Sequence, residues 1–132
     1  MNPNYPEGFC RRAQAHYFLN DYKTAINDYN KALVLSPKNA EMYFNRGIIY
    51  NALGDKEAAL KDYNKALVIS PKNAEMYFKR AIIHKDLGNY EAAQKDYNKA
   101  IELNPKLAGD YCNFNKSVSR VSGNGKELIR IK

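Results

Sequence analysis

Residues 39–72, NAEMYFNRGIIYNALGDKEAALKDYNKALVISPK, are followed at once by residues 73–106, NAEMYFKRAIIHKDLGNYEAAQKDYNKAIELNPK. Aligned without a gap, the two segments are identical at 22 of 34 positions. A more diverged third copy occupies residues 5–38 and ends on nearly the same letters, DYNKALVLSPK. Self-similarity at one fixed period is typical of proteins built from stacked repeats. The sequence therefore predicts three structural units, 5–38, 39–72 and 73–106.

Each copy divides into two helical patterns, which the central copy shows most clearly. Met42, Ile49 and Leu53 recur at helical spacing, and the pattern then breaks at Gly54-Asp55. Glycine suits a left-handed helix end, and aspartate accepts hydrogen bonds from the first free N–H groups of the next helix. That second helix is predicted to stop before Pro71. Neither helix buries its apolar stripe alone, so neighbouring copies must stack into an all-α array.

After the third copy the helical pattern starts once more. The apolar residues fall at i, i+3, i+7 and i+10, on one face of a helix, as Tyr111, Phe114, Val118 and Val121. A stacked array exposes an apolar surface at its last repeat, and a helix that is apolar on one side covers it. We therefore predict a capping helix over residues 107–122, followed by a flexible tail over residues 123–132 that starts within the break Ser122-Gly123-Asn124-Gly125.

Composition fits one globular domain, with 132 residues, 45% hydrophobic and 27% charged. No apolar run approaches the roughly 20 residues that span a bilayer. The first residues, Met1 to Asn4, show no basic segment followed by an apolar core, so we predict no signal peptide and favour the cytoplasm. Cys10 and Cys112 are far apart in sequence and form no Cys/His cluster, which argues against a disulfide framework or a zinc site.

The formal net charge of +7 favours anionic partners and leaves two alternatives open. Nucleic-acid binding, RNA in particular, by a basic helical array is one alternative. A lysine-rich solvated surface is the simpler interpretation, because Lys and Glu/Asp are interspersed within each copy. A separate alternative is self-association, in which the tail KELIRIK of one molecule docks on another. Ile129 and Ile131 alternate with charged residues there, with the period of an extended strand.

No catalytic signature is visible. The chain has no phosphate-binding loop, no GxSxG and no HExxH motif. His16 and His84 occupy equivalent positions two copies apart, where the central copy has Tyr50, and they are most simply packing residues. We predict a non-enzymatic protein with no cofactor and no metal.

The repeat resembles the tetratricopeptide repeat, a family defined by aromatic, small and proline residues at fixed offsets. The central copy supplies them as Tyr43, Gly47, Tyr50, Ala59, Tyr63, Ala66 and Pro71. The resemblance covers residues 5 to about 122 and implies a right-handed α-solenoid of three helix–turn–helix units. All three copies depart from the family at one position, where leucine is usual and this chain has Arg12, Arg46 and Arg80.

The resemblance also implies a site. In this family the first helices of successive repeats line a concave groove that holds peptides or helices of other proteins. The corresponding positions here combine apolar side chains with hydrogen-bond donors, a mixture that suits a segment with apolar anchors and an acidic or C-terminal carboxylate group. They are Arg11, Gln14, Phe18, Phe44, Asn45, Ile48, Asn51, Phe78, Lys79, Ile82 and Lys85. Alternatively, Phe44 and Phe78 pack between helices and the polar residues are merely solvated.

One subgroup of the family binds the acidic tail of heat-shock chaperones through a carboxylate clamp. Its clamp positions are Lys, Asn, Asn, Lys and Arg, and here they hold Cys10, Gln14, Asn45, Glu75 and Lys79. Asn45 matches and Lys79 keeps its charge, whereas Cys10 loses a charge and Glu75 reverses one. A reversed charge repels a bound carboxylate. The sequence therefore disfavours clamp-type binding and leaves the groove as a general interaction site.

Overall fold

The computed structural model describes residues 5–109, and these residues form six α-helices and one short 3₁₀ helix. The chain divides into two compact units, one ending at Lys72 and the other beginning at Asn73. The predicted capping helix and tail lie outside the described residues, apart from residues 107–109 at the start of the cap. None of the helices in the described part is both long and apolar enough to cross a membrane.

The first unit contains four helices. They are α1 (Pro6–Phe18), α2 (Tyr22–Leu35), α3 (Ala40–Ala52) and α4 (Lys56–Ile69). Helix α1 packs on α2 and α3 packs on α4, each pair joined by a three-residue turn, and α2 contacts α3. The second unit contains α5 (Ala74–Asp86), α6 (Tyr90–Leu103) and the 3₁₀ helix Pro105–Leu107, and both of the other elements pack on α6. The all-α prediction is confirmed.

The predicted turn chemistry is present in the turns between paired helices. Gly54 and Gly88 lie in the left-handed region, with φ of 86° and 85°. Asn20 has the same role in the first copy, with φ of 64°. The Asp55 side chain accepts a hydrogen bond from the backbone N–H of Ala58, which fixes the start of α4. In the third copy Asn89 also precedes a helix, but its side chain makes no capping bond.

The core of the first unit consists of aromatic rings set against very small residues. Tyr63 is almost fully buried and packs against Gly47, where a Cβ atom would lie 2.6 Å from the ring. The missing side chain lets the two helices approach each other. The Tyr43 hydroxyl donates a hydrogen bond to the Pro37 carbonyl oxygen, which links α3 to the end of the first copy. The remaining small core residues are fully buried, and they are Ala13, Ala25, Ala32, Ala59 and Ala66.

The arginine that all three copies share at one equivalent position forms an ion pair inside its own copy. Arg46 donates from Nε and Nη2 to the two carboxylate oxygens of Asp62, at 2.8 and 2.7 Å. This bidentate bond satisfies a buried carboxylate and raises the pKa of Arg46. Arg46 also donates from Nη1 to Asn30 on α2, at 2.8 Å. The same bidentate bond joins Arg12 to Asp28 (3.0 and 2.7 Å) and Arg80 to Asp96 (2.6 and 2.7 Å).

The core of the second unit centres on Tyr97, which is fully buried against Ala81 and Ala93. Its hydroxyl donates to the Leu107 carbonyl oxygen at 3.0 Å and so ties α6 to the 3₁₀ helix. His84, on α5, lies near the Arg80–Asp96 pair. Its Nε2 is 3.7 Å from an Asp96 oxygen, and burial is the main cause that lowers its pKa. His84 is half-buried there, and the packing role of this position stays a prediction.

Candidate functional site

Helices α1 and α3, each the first helix of its copy, border a cavity of about 300 Å³ that is mainly apolar. Its floor is Tyr29 from α2, which has an exposed fraction of only 1%. Its rim includes the ring of Phe18, which is 79% exposed at the end of α1. The residues around it are Gln14, Tyr17, Phe18, Tyr29, Asn45, Ile48 and Ile49. A cavity of this size accepts one large side chain of a ligand.

A second cavity of about 280 Å³ lies beside the first and is more polar. Gln14 and Asn45 border both cavities, so the two lie next to each other along α1 and α3. The polar cavity is lined by Glu7, Cys10, Arg11, Gln14, Asn39, Glu41, Met42 and Asn45. We refer to the two together as the α1–α3 groove.

Tyr29, which borders the apolar cavity, keeps a neutral hydroxyl. Burial raises the pKa of its hydroxyl to about 12, and the nearby Cys10 and Glu41 act in the same direction. Hydrogen bonding from the Asn45 and Gln14 side chains acts in the opposite direction. The hydroxyl therefore stays neutral at physiological pH, where it offers both a donor and an acceptor to the groove.

Cys10 lies in the wall of the polar cavity and is half-buried. Burial is the main cause that raises the pKa of its thiol, and the negative charges of Glu41 and Glu7 raise it further. A thiol with a raised pKa is a poor nucleophile at neutral pH, because little thiolate is present. Cys10 therefore lines the polar cavity mainly as a neutral thiol.

The structure brings five of the predicted groove residues together. Gln14, Phe18, Asn45 and Ile48 border the apolar cavity, and Arg11 borders the polar one beside Gln14 and Asn45.

Two other predicted residues of the first unit lie elsewhere. Phe44 is buried, with its ring centroid 5.4 Å from that of Tyr63, and it is a core residue as the alternative interpretation had it. Asn51 accepts a hydrogen bond from Nζ of Lys56 at 2.9 Å, across the α3–α4 turn.

The predicted residues of the third copy lie on α5 in the second unit. Phe78 packs against the Tyr97 cluster, with ring centroids 5.1 Å apart in an edge-to-face arrangement, so it belongs to the core. The other three are half-buried along the same helix, and they are Lys79, Ile82 and Lys85.

Sequence reasoning did not place several of the residues that border the groove, among them Tyr29, Ile49, Glu7 and Glu41. Tyr29 and Ile49 were assigned to packing, and both are buried core residues with one surface on the apolar cavity. Glu7 and Glu41 are first-turn acids of α1 and α3, a position that stabilises a helix without any ligand. The signal that links them is their identical position in two successive copies, which places both on one side of the groove.

No metal-binding group emerges from the described residues. Within residues 5–109 there is no group of three or more His, Cys, Asp or Glu side chains that could hold a metal ion. His16 instead lies with Nδ1 3.4 Å from a carboxylate oxygen of Asp21, at the α1–α2 turn.

Comparison with known families identifies the repeat. Sequence models described as "Tetratricopeptide repeat" match residues 10–74 and 74–107, which together include all six helices except the start of α1. Helical hairpins with small residues at the helix contact and proline after the second helix agree with that assignment. The chain belongs to the tetratricopeptide repeat family.

Individual relatives resemble this chain over different lengths. DnaJ homolog subfamily C member 7 homolog from Dictyostelium discoideum is 40% identical over 45 residues, which are 34% of this chain and 8% of that protein. The chain therefore spans a small fraction of the curated relative that it matches. A tetratricopeptide repeat protein from Parabacteroides merdae is 28% identical with a TM-score of 0.83, over 93% of this chain and 48% of that one.

A second similar structure is the first tetratricopeptide repeat domain of Spaghetti (RPAP3), bound to the HSP90 peptide SRMEEVD. It is 22% identical with a TM-score of 0.83, and the alignment covers 93% of this chain and 98% of that one. At this identity the likeness shows that the two share a fold.

Proposed function

We propose that this chain is a non-enzymatic protein-interaction module, and that the α1–α3 groove binds a segment of a partner protein. The observation that carries the proposal is the pair of adjoining cavities, since residues from two successive copies border both of them. Membership of a repeat family supports it, and so does a structural neighbour that holds a short peptide.

The groove offers the contacts that a peptide segment needs. The apolar cavity takes an apolar side chain, which leaves water and contacts Ile48 and Tyr17. Gln14 and Asn45 stand between the two cavities, and their carboxamides both donate and accept hydrogen bonds, which suits the backbone of an extended or helical segment. Apolar contacts then supply most of the affinity, and the carboxamides fix the register of the segment.

An acidic or C-terminal carboxylate group of the partner fits the second unit better than the first. Lys79 and Lys85 supply positive charge along α5, and a lysine ammonium pairs well with a carboxylate. The carboxylate clamp remains disfavoured, because Cys10 and Glu75 occupy two of its positions.

The test is a selection of peptides by the full chain and by two variants. A phage-displayed pool of random peptides is enriched on wild type, and the affinity of the best synthetic peptide is measured by fluorescence anisotropy. Ile48→Glu places a charge in the apolar cavity and is expected to weaken binding at least tenfold. The matched control is Val34→Glu, an equally large change at a position on α2 that is exposed and does not border the groove.

Circular dichroism establishes that both variants remain helical. If the folded Ile48→Glu protein binds the selected peptide as tightly as wild type does, the groove is not the site. A pool that yields no enriched peptide also counts against the proposal.

A further inference from the structure

The polar half of the α1–α3 groove carries more negative than positive charge. Glu7 of α1 and Glu41 of α3 border the polar cavity together with a single cation, Arg11. The two acids come from different copies, 34 residues apart in sequence, and they line the same cavity because α1 and α3 both border it. Glu7, Arg11 and Glu41 are all exposed, so the polar cavity is lined by two negative charges and one positive charge of similar exposure.

The negative charges of both acids act on the thiol of Cys10, which lines the same cavity. After burial, the next two causes that raise its pKa are the charges of Glu41 and Glu7. Arg11, the residue next in sequence, is not among the causes. The hydroxyl of Tyr29, at the floor of the neighbouring apolar cavity, also feels Glu41. The charge of Glu41 therefore acts on a lining residue of each cavity.

Resting on the function proposed above, we propose that the α1–α3 groove selects a partner segment with a lysine or arginine within a few residues of an apolar side chain. The apolar side chain occupies the cavity of Ile48 and Tyr17, and the cation lies between Glu7 and Glu41. Since Gln14 and Asn45 border both cavities, the two side chains of the ligand are near neighbours along its chain.

Charge complementarity disfavours a ligand that places a carboxylate in the polar cavity. A carboxylate in the polar cavity would face two carboxylates and one guanidinium, all on exposed residues, and like charges repel more strongly where a ligand displaces water. A cation in the same place gains from both acids, and its aliphatic stem covers Met42.

The experiment separates this role of the two acids from their role in the first turn of a helix. The probe is the best peptide from the selection on wild type, made in three versions with Lys, Gln or Glu at its basic position. On wild type, the Gln version is expected to bind about tenfold more weakly than the Lys version, and the Glu version more weakly still. The protein variant is Glu7→Gln/Glu41→Gln, which keeps side-chain size and removes both charges.

On the double variant, the Lys and Gln versions are expected to bind equally well. The matched control is Glu57→Gln/Glu91→Gln, which changes net charge by the same amount at first-turn acids of α4 and α6. This control is expected to keep the wild-type preference for lysine.

Three results would overturn the inference. They are selected peptides without a basic residue, a lysine preference that survives in Glu7→Gln/Glu41→Gln, and a preference that the control variant loses equally. In each case the Ile48→Glu result decides separately whether the groove binds peptides at all. An unaffected Ile48→Glu protein would overturn the proposed function, whatever the charge preference of the selected peptides.

Discussion

The first and second copies contain the same ion pair in different surroundings. Arg12 binds Asp28 and Arg46 binds Asp62 with the same bidentate geometry. The Arg12 side chain is 48% exposed, whereas that of Arg46 is 19% exposed. Arg46 also donates to Asn30 of the preceding copy, and Arg12 donates only to Asp28 among the hydrogen bonds of the described residues. One sequence motif therefore produces two different electrostatic situations.

The difference in exposure between Arg12 and Arg46 indicates that the neighbouring copy, and not the motif itself, determines how much the ion pair contributes to stability. Water screens and solvates an exposed arginine, so its salt bridge contributes little to stability. A covered arginine depends on its carboxylate, because removing that partner leaves a charge out of water and unpaired. Stacking of α2 against α3 converts the first situation into the second.

The largest expected effect on stability comes from removing the aspartate of an ion pair. Asp62→Ala is expected to lower the free energy of unfolding by about 2 kcal/mol, because Arg46 loses its carboxylate in a mostly covered place. Asp28→Ala is expected to cost less, since water reaches Arg12. Urea denaturation of the two variants, followed by circular dichroism, measures the difference. Equal losses would contradict the role given to the neighbouring copy.

A double variant tests whether the covered pair is needed at all. In Arg46→Leu/Asp62→Leu both charges are replaced by apolar groups, and leucine is usual in the family at the position of Arg46. We expect most of the loss seen in Asp62→Ala to be recovered, because no buried charge remains unpaired. A double variant as unstable as the single one would show that the pair itself stabilises the fold.

A smaller effect is expected at the close contact between α3 and α4. Gly47→Ala removes a flexible residue from a helix, but its Cβ would lie 2.6 Å from the buried ring of Tyr63. Overpacking outweighs the better helix propensity, for a net loss of about 1 kcal/mol. The first copy already has alanine there, Ala13, and it is fully buried. Thermal unfolding of Gly47→Ala tests this, and an increased melting temperature would contradict it.

The hydrogen bond between copies is expected to contribute less. Asn30→Ala removes the acceptor of the Arg46 Nη1 bond, at an exposed position where water replaces it. We expect a loss of about 0.5 kcal/mol. The equivalent change in a chain that already carries Arg46→Leu is expected to have no effect, because the donor is absent. A loss that persists in that background would assign the effect of Asn30 to another contact.

The smallest effect extends the comparison to the third copy, where His84 stands in the place of Tyr50. Burial lowers the pKa of His84, Arg80 lowers it further, and Asp96 partly opposes them. The unfolded chain therefore binds a proton more readily than the folded one. The contribution to stability is complete above the unfolded pKa of about 6.5 and is lost as pH falls through the folded pKa.

His84→Tyr removes this group and is expected to flatten the pH dependence of stability between about pH 7 and pH 5. Urea titrations of both proteins at several pH values measure it. An identical pH dependence in the two proteins would show that His84 titrates equally in the folded and unfolded chain.

Much of the local structure could be predicted because its causes are local. Gly54 and Asp55 mark the end of one helix and the start of the next, and both have the expected geometry. The proline after each second helix and the spacing of small residues identified the family correctly. These features depend on residues within one or two helical turns, which a single copy of the repeat already contains.

The candidate site was only partly predictable. Phe44 and Ile48 lie one turn apart on α3, yet Phe44 packs on Tyr63 and Ile48 borders the apolar cavity. The resemblance to the repeat family assigned both to the groove and left packing of Phe44 as the alternative. A helix that packs on two sides has two apolar stripes, and the sequence does not say which one faces a neighbour.

By itself, the sequence determined the three copies, the all-α class, the family and the helix break at Gly54-Asp55. Only the tertiary structure decided that Arg46 reaches Asp62 and Asn30, and that Glu7 and Glu41 meet at one cavity. The physical reason is distance along the chain. Helix formation is set by neighbours a few residues apart, whereas these pairings join side chains 16 to 34 residues apart and depend on how closely the helices pack.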